Sequence, residues 1–409
     1  MLFEREKKSL IQPTKNLGEI RHYILLEQIG KGSYGKIYLA FDKKLEKKVA
    51  LKIINKNFLD ILNKTEEAFI EQYMLKFCYE NKNIINLLGC FTTKEKLIFV
   101  LDYYKNGNFE KYLKNIQTEN GLLSYETAKF YLAEILNILK YLQNNNISHL
   151  DLKPNNFLLD SRLHLKLIDF ATAKIQNKKF NLKTKNFEIS NENKINLNNF
   201  IGTPQYCSPE ILNNNVQNFF TCDIWSFGII MYELFHNKTP FDNYNTSLNE
   251  IINNIKKGEF YINEKLPNEI KDLIKKCLIV DQNKRITLNE IFNHPFFKDF
   301  NFDNLYEKNV PENFKKSIST INENNKNNFL IEELYKEDDN DYINKKNNIS
   351  TDVEIDYCSE NSDEIEEKNE RNKKNKEILS KIIIGIDYCI INFNDNKNNS
   401  NIEIKEDYY

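Results

Sequence analysis

The stretch from Ser148 to Phe170, SHLDLKPNNFLLDSRLHLKLIDF, constrains this chain more than any other. It sets two acids, Asp151 and Asp169, one lysine, Lys153, and one amide, Asn156, in a short span. Phe157-Leu158-Leu159 and the run Leu163 to Ile168 flank a polar turn at Asp160-Ser161-Arg162, and the second run alternates at period two. That pattern predicts a short hairpin. A hairpin brings its ends together, so Asp151, Asn156 and Asp169 are expected to converge. Carboxylate and amide oxygens are hard ligands of the kind that hold Mg²⁺ against phosphates. An acid beside such a metal, with a lysine two residues on, suits phosphoryl transfer to a hydroxyl.

HLDLKPNN resembles the protein-kinase catalytic loop H-R-D-x-x-x-x-N, and Asp169-Phe170-Ala171 resembles its D-F-G. One DxK or DF pair alone fits any solvated loop; several motifs in order and in structural context are specific. From Tyr23 the chain reads as strand, glycine turn, strand, charged turn, strand. Gly30, Gly32 and Gly35 have the G-x-G-x-x-G spacing, which also opens dinucleotide-binding folds. There a helix should begin at the last glycine, whereas Lys36 to Ala40 is β-branched and aromatic, a strand. Such a loop between antiparallel strands can lie over phosphates.

Val49-Ala50-Leu51-Lys52 is similar to the V-A-I-K of kinases. An ammonium inside an apolar strand is costly unless an anion meets it. The helix expected from Thr65 to Cys78 offers Glu71, while Glu66 and Glu67 sit at its start, where acids are common for dipole reasons. The resemblance selects Glu71. Ile84 to Leu88 and Lys96 to Leu101 are expected to complete the sheet, and Phe109–Lys114 and Tyr125–Asn144 to be helices.

The implied fold is α+β and bilobal: a small antiparallel sheet with one main helix (21–101), then a hinge and a larger, mainly α lobe (102–298). A polar extension (1–20) precedes it and a low-complexity tail (299–409), poor in apolar residues, follows. The tail composition predicts disorder with one helix. Its islands Phe329–Leu334 and Ile378–Ile391 are candidates to pack on the kinase or bind a protein partner. Residues 169–210 read as a long loop resembling the activation segment, closing at Gly202-Thr203-Pro204 and Ser208-Pro209-Glu210. Glu210, Arg285 and Asp223 are expected to be structural, the first two paired and the third bracing the catalytic loop.

The resemblance implies ATP and Mg²⁺ as cofactors. Asp151 takes the role of base, Lys153 steadies the transferring phosphoryl group, and Thr203 hydrogen-bonds Asp151. Asn156 and Asp169 hold the metal. The nucleotide is met by the loop Gly30, Lys31, Gly32, Ser33, Tyr34 and Gly35, and by Ile37, Ala50, Lys52 and Glu71. Leu101, the gatekeeper, follows with Asp102, Tyr104, Asn108 and Asn155. Lys153 and Thr203 point to serine and threonine substrates. Tyr104 to Phe109, Asp169 to Lys174 and Asn199 to Thr203 look like the 3-phosphoinositide-dependent protein kinase family of the AGC group, over roughly residues 21–298. Members phosphorylate activation loops of other AGC kinases and dock their hydrophobic motifs beside the Glu71 helix, a pocket that Lys56 and Leu97 would line. A calcium/calmodulin-dependent-like kinase, or a pseudokinase scaffold, is the alternative; the scaffold predicts loss of Lys52, Asp151 or Asp169, and all three are present.

Departures from the family pattern carry expectations of their own. Leu150 replaces the arginine that clamps a loop phosphate, and Asn199 stands where that family has a phosphorylatable serine. Both halves of the switch are absent together, so no unpaired charge is left and loop phosphorylation there is not expected to gate the chain. Ala171 replaces the glycine of D-F-G, Gln72 a phosphate-binding arginine, and Asn108 and Asn155 acids that contact ribose. The net charge of −2 argues against nucleic acid or an anionic membrane as partner. Seven dispersed cysteines without a CxxC, and no apolar run long enough to span a bilayer, point to a cytoplasmic monomer with reduced thiols.

Overall fold

A computed structural model of the chain describes residues 20–32, 35–79, 81–119, 123–190, 203–242 and 247–311. The readings for the N-terminal extension, Ser33, Tyr34, Asn199, Gly202 and the tail beyond 311 lie outside these residues.

The first lobe is built on β1 (Tyr23–Lys31), β2 (Gly35–Asp42) and β3 (Lys47–Asn55), followed by α1 (Lys56–Ile61), α2 (Thr65–Phe77), β4 (Leu87–Thr92) and β5 (Lys96–Asp102). The five strands are antiparallel in the order β1-β2-β3-β5-β4. Side chains alternate along a strand. Val49 and Leu51 of β3 therefore join Ile98, Val100, Tyr23 and Phe91 in a core on one face of the sheet. Ala50 and Ile54 join the main core on the other, with α2. β4 begins at Leu87 rather than Ile84: Ile84 bridges to Leu167 and Ile85 N donates to Leu167 O at 3.1 Å, so this apolar pair seals the lobes together instead of extending the sheet.

The second lobe holds α3 (Phe109–Glu119), α4 (Tyr125–Asn144), β6 (Ile147–Ser148), β7 (Phe157–Leu159), β8 (Leu165–Leu167), β9 (Lys174–Ile175), β10 (Lys178–Asn181) and β11 (Asn186–Ile189). Then come α5 (Pro209–Leu212), α6 (Phe219–His236), α7 (Leu248–Lys257), α8 (Asn268–Cys277) and α9 (Leu288–Phe292). The expected hairpin is β7–β8, registered Phe157↔Leu167 to Leu159↔Leu165. Helix α6 is apolar nearly all round and buried accordingly. Gly228 lets α8 approach it, since a Cβ there would lie 2.6 Å from Cys277 Cβ.

Two stretches are more ordered than their composition implied. Within the expected loop 169–210, β9 pairs with β6, and β10 with β11 through the cross-strand pair Phe180↔Phe187. The packed lobe also runs past Lys298: Leu305 and Val310 are buried, and Tyr306 donates from its hydroxyl to Asp160 Oδ2 at 2.7 Å.

Glu210 at the head of α5 is buried and accepts a fork from Arg285, Nη1 to Oε1 at 2.6 Å and Nη2 to Oε2 at 2.9 Å. Arg285 also donates to Thr221 O and lies 5.0 Å over the Trp225 ring. Removing one partner strands a buried charge, which costs about 3–5 kcal/mol. Arg285→Ala should lower unfolding stability by that much in urea titration; an unchanged midpoint would contradict the assignment.

Candidate active site

The cleft between the lobes is assembled from β3, α2, the loop after β6, and the segment after β8. Because β3 alternates, Ala50, Lys52 and Ile54 share a face. Lys52 Nζ donates to both oxygens of Glu71, at 2.6 and 2.7 Å, and lies 3.7 Å from Asp169 Oδ1. Lys52 and Glu71 are both buried. Burial alone would lower the lysine, but Glu71 and Asp169 outweigh it and hold it up to about 12. Burial pushes Glu71 up to about 6 against the pull of Lys52. Asp169 is held below the usual carboxylate range: its burial works the other way, and Lys52, His149 and Lys153 prevail. Glu67 instead pairs with Lys64 at the start of α2.

Asp223 of α6 accepts from the backbone N–H groups of His149 and Leu150, each at 2.8 Å. Burial pushes Asp223 up to about 7, against those two donors. This anchorage accompanies a left-handed Leu150 (φ +65°), the bend that turns Asp151 into the cleft. Asp151 Oδ2 accepts from Lys153 Nζ and from Asn156 Nδ2, both at 2.8 Å. Asn156 O accepts from Ile168 N at 2.9 Å, which ties the two ends of the β7–β8 hairpin together and brings Asn156 beside Asp169. Thr203 Oγ1 accepts from Lys153 Nζ at 2.9 Å. The bond expected from Thr203 to Asp151 is thus relayed: the three-donor ammonium sits between the two oxygens.

His149 has a positioning role that motif spacing alone does not reveal. Its Nε2 lies 3.0 Å from Ile168 O, and its ring meets the buried Phe170 edge-on at 4.9 Å. Together they fix the left-handed turn at Asp169 (φ +62°). A histidine two residues before the acid, between Ser148 and Leu150, was the available signal.

On the nucleotide side, Gly32 N donates to Gly35 O at 2.8 Å and closes the loop, with Lys31 exposed beside it. Gly35 must be glycine, because a Cβ would fall 2.3 Å from Ile53 O. Gly30 pairs with Ile37, Ile37 with Lys52, and Ala50 with Leu101, so these residues line one patch of sheet. The Asp102 carboxylate is turned to Asn86 (2.9 Å) and Lys47 (3.2 Å), and Tyr104 is half-buried next to it. Asn108 Nδ2 donates to Asn155 Oδ1 at 2.6 Å. Two carboxylates so placed would repel; two amides bond. Leu150 packs with Cys207, Ile211, Val216, Phe219 and Cys222, an apolar cluster where the family pattern has an arginine. Lys56 and Leu97 are buried, Lys56 donating to Thr93 O.

The donor set fits Mg²⁺. Asn156 uses its amide nitrogen on Asp151 and keeps its oxygen, while Asp169 is a low-pKa carboxylate with 28% of its side chain exposed. No group of three or more His, Cys, Asp or Glu gathers for a metal among the described residues. A few protein oxygens completed by phosphates suit Mg²⁺, which rarely has an all-protein cage.

Residues 23–297 match the family model described as a protein kinase domain. The chain belongs to the protein kinase family. This kinase is 34% identical over 287 residues to serine/threonine-protein kinase PKH2 of Saccharomyces cerevisiae, covering 69% of the chain and 26% of the relative. It is 35% identical over 300 residues to serine/threonine-protein kinase Sgk1 of Gallus gallus (72% and 64%). Calcium-dependent protein kinase 3 of Plasmodium yoelii yoelii is 33% identical over 302 residues (71% and 51%). The chain thus spans about a quarter of the length of PKH2 and half that of the Plasmodium relative. The PKH2 and Sgk1 matches agree with the AGC-group resemblance carried by the motifs. No helix among the described residues is long and apolar enough to cross a membrane.

Above pH about 6 Glu71 is ionised and holds Lys52; below it the carboxyl gains a proton and the ion pair is lost. The value of kcat/KM for ATP should therefore fall on acidification, with a midpoint at about 6. A pH–rate profile checks this; a flat profile down to about pH 5 would contradict it.

Proposed function

We propose that this kinase transfers the γ-phosphate of ATP, with Mg²⁺, to serine and threonine hydroxyls of protein substrates. The observation that carries the reading is the meeting of Lys52, Glu71 and Asp169 beside the Asp151–Lys153–Asn156 network. Lys52, held by Glu71, binds the α/β-phosphates. Asn156 and Asp169 would hold the metal, which would supply positive charge to neutralise the phosphates. Asp151 Oδ2 is taken by Lys153 and Asn156, which leaves Oδ1 to accept the substrate hydroxyl's proton and orient it. Lys153 neutralises charge on the transferring group. Gly30, Lys31, Gly32, Gly35, Ile37, Ala50, Leu101, Asp102 and Tyr104 would meet the nucleotide, and the Asn108–Asn155 pair presents amides rather than carboxylates beside it.

Serine/threonine preference is supported by Lys153 next to Thr203 and by the names of the PKH2 and Sgk1 relatives. The motif resemblance extends the reading to activation loops of other AGC kinases as substrates. The buried thiols at Cys78, Cys90, Cys207, Cys222 and Cys277 suit a reducing, cytoplasmic setting. We assign 21–101 and 102–298 to the two lobes, the second continuing through 311.

Asp151→Asn should lower kcat by about 10²–10⁴-fold, the usual worth of a general base, and leave ATP binding near wild type. Radiolabelled transfer to matched serine, threonine and tyrosine peptides should label the first two. Preferential labelling of tyrosine, or only of free lipid or sugar, would contradict the reading.

A further inference from the structure

We propose that the β10–β11 hairpin is a clasp that holds α2, and with it Glu71, against Lys52, so that Phe180, Phe187 and Tyr73 are positioning residues for phosphoryl transfer. The inference rests on the function proposed above and deepens it.

Helix α2 has reason to need a second support. Seating the helix buries the Glu71 carboxylate. A buried charge favours that seat only while its partner stays in place. Phe69 and Tyr73 are four residues apart and share one side of the helix, whereas Glu71, two residues from each, lies on another and meets Lys52. The hairpin grips the Phe69–Tyr73 side. Phe180 stacks on Phe69 with centroids 6.4 Å apart, and Tyr73 meets Phe187 edge-on at 5.1 Å. Phe180 and Phe187 meet each other edge-on at 5.1 Å, and Lys185 in the turn lies 6.0 Å over the Phe69 ring. Phe69, Phe180 and Phe187 are all buried. The helix is thereby held between sheet and hairpin.

The other end of the clasp is tied to the catalytic loop. β9 pairs Ile175 with Ile147 and Lys174 with Ser148, one residue before His149. Burial lowers the half-buried Lys174 from the usual lysine range, against the opposing pull of Glu66 and Glu67 in the first turn of α2. Segment and helix are therefore joined by aromatic rings carried in the chain itself. With Leu150 in an apolar cluster, the catalytic loop offers no arginine for a loop phosphate to engage. The hairpin supplies the coupling that such a phosphate would.

The test uses the full chain as wild type, F180A/F187A, Tyr73→Ala and Phe187→Leu. Three quantities are measured: kcat/KM for peptide phosphorylation, amide hydrogen exchange in α2 with α4 as control, and the effect of phosphatase. The clasp predicts about tenfold or greater loss of kcat/KM in F180A/F187A and in Tyr73→Ala, with faster exchange in α2, protected α4, and partial rescue in Phe187→Leu. Phosphatase should leave the wild type unchanged. If F180A/F187A also loosens α4, Tyr73→Ala decides: lost activity with α4 protected supports the clasp, and wild-type activity overturns it. Unchanged rates and α2 exchange in both variants, or inactivation of the wild type by phosphatase, would also overturn it. A wild type that transfers no phosphate would instead sink the proposed function, while α2 exchange would still report on the clasp.

Discussion

Everything in the cleft depends on the buried ion pair between Lys52 and Glu71. Neither charge is stable in the interior without the other, because desolvation penalises each and only close pairing offsets it. The sheet contributes the cation and α2 the anion, so the pair fixes one element against the other. The bidentate geometry satisfies both carboxylate oxygens and leaves the ammonium near a third group, Asp169 Oδ1, from the second lobe. One lysine therefore joins three segments far apart in sequence, and its raised pKa keeps it charged when an anionic ligand arrives.

The second lobe holds its half of the site by the same logic applied to backbone. Asp223 projects from the apolar α6 to receive two N–H groups of the loop that follows β6. The Glu210–Arg285 fork secures α5 beneath that loop, and Trp225 of α6 packs against the guanidinium. Left-handed backbone at Leu150 and Asp169 flanks the His149–Phe170 contact, and both strained residues sit where an acid must be presented. Strain of this kind persists only where surrounding contacts over-determine it.

Much of this was legible in the residues. The β7–β8 hairpin, the convergence of Asp151, Asn156 and Asp169, and the first three strands follow from alternation and turn chemistry, which are local signals. That Lys52 needs an acid was legible because an apolar strand demands a partner for its lysine, while the choice of Glu71 over Glu66 and Glu67 came from the family resemblance. The β10–β11 hairpin was not, since Asn, Lys and Thr around Phe180 and Phe187 hide a two-residue aromatic signal that acquires meaning only against Phe69 and Tyr73 of α2. Ile84 and Ile85 looked like strand because apolar character alone does not say which surface buries them. The relay from Thr203 through Lys153 depends on where one flexible ammonium settles, which spacing along the chain does not encode. Residues 299–311 are polar enough to read as tail, and contacts distant in sequence tie them down: Tyr306 to Asp160, Phe302 against Phe292 and Phe297, and the burial of Leu305 and Val310.

The proposed function requires a lysine and an aspartate from different lobes to serve one metal-bound triphosphate. Calorimetric titration of the chain with ATP, with and without Mg²⁺, tests this most directly, with Asp169→Asn as the comparison. Binding should be tighter with Mg²⁺ in the wild type, and Asp169→Asn should remove most of that gain. Equal binding with and without the metal, or an Asp169→Asn protein that keeps the full Mg²⁺ effect, would contradict it.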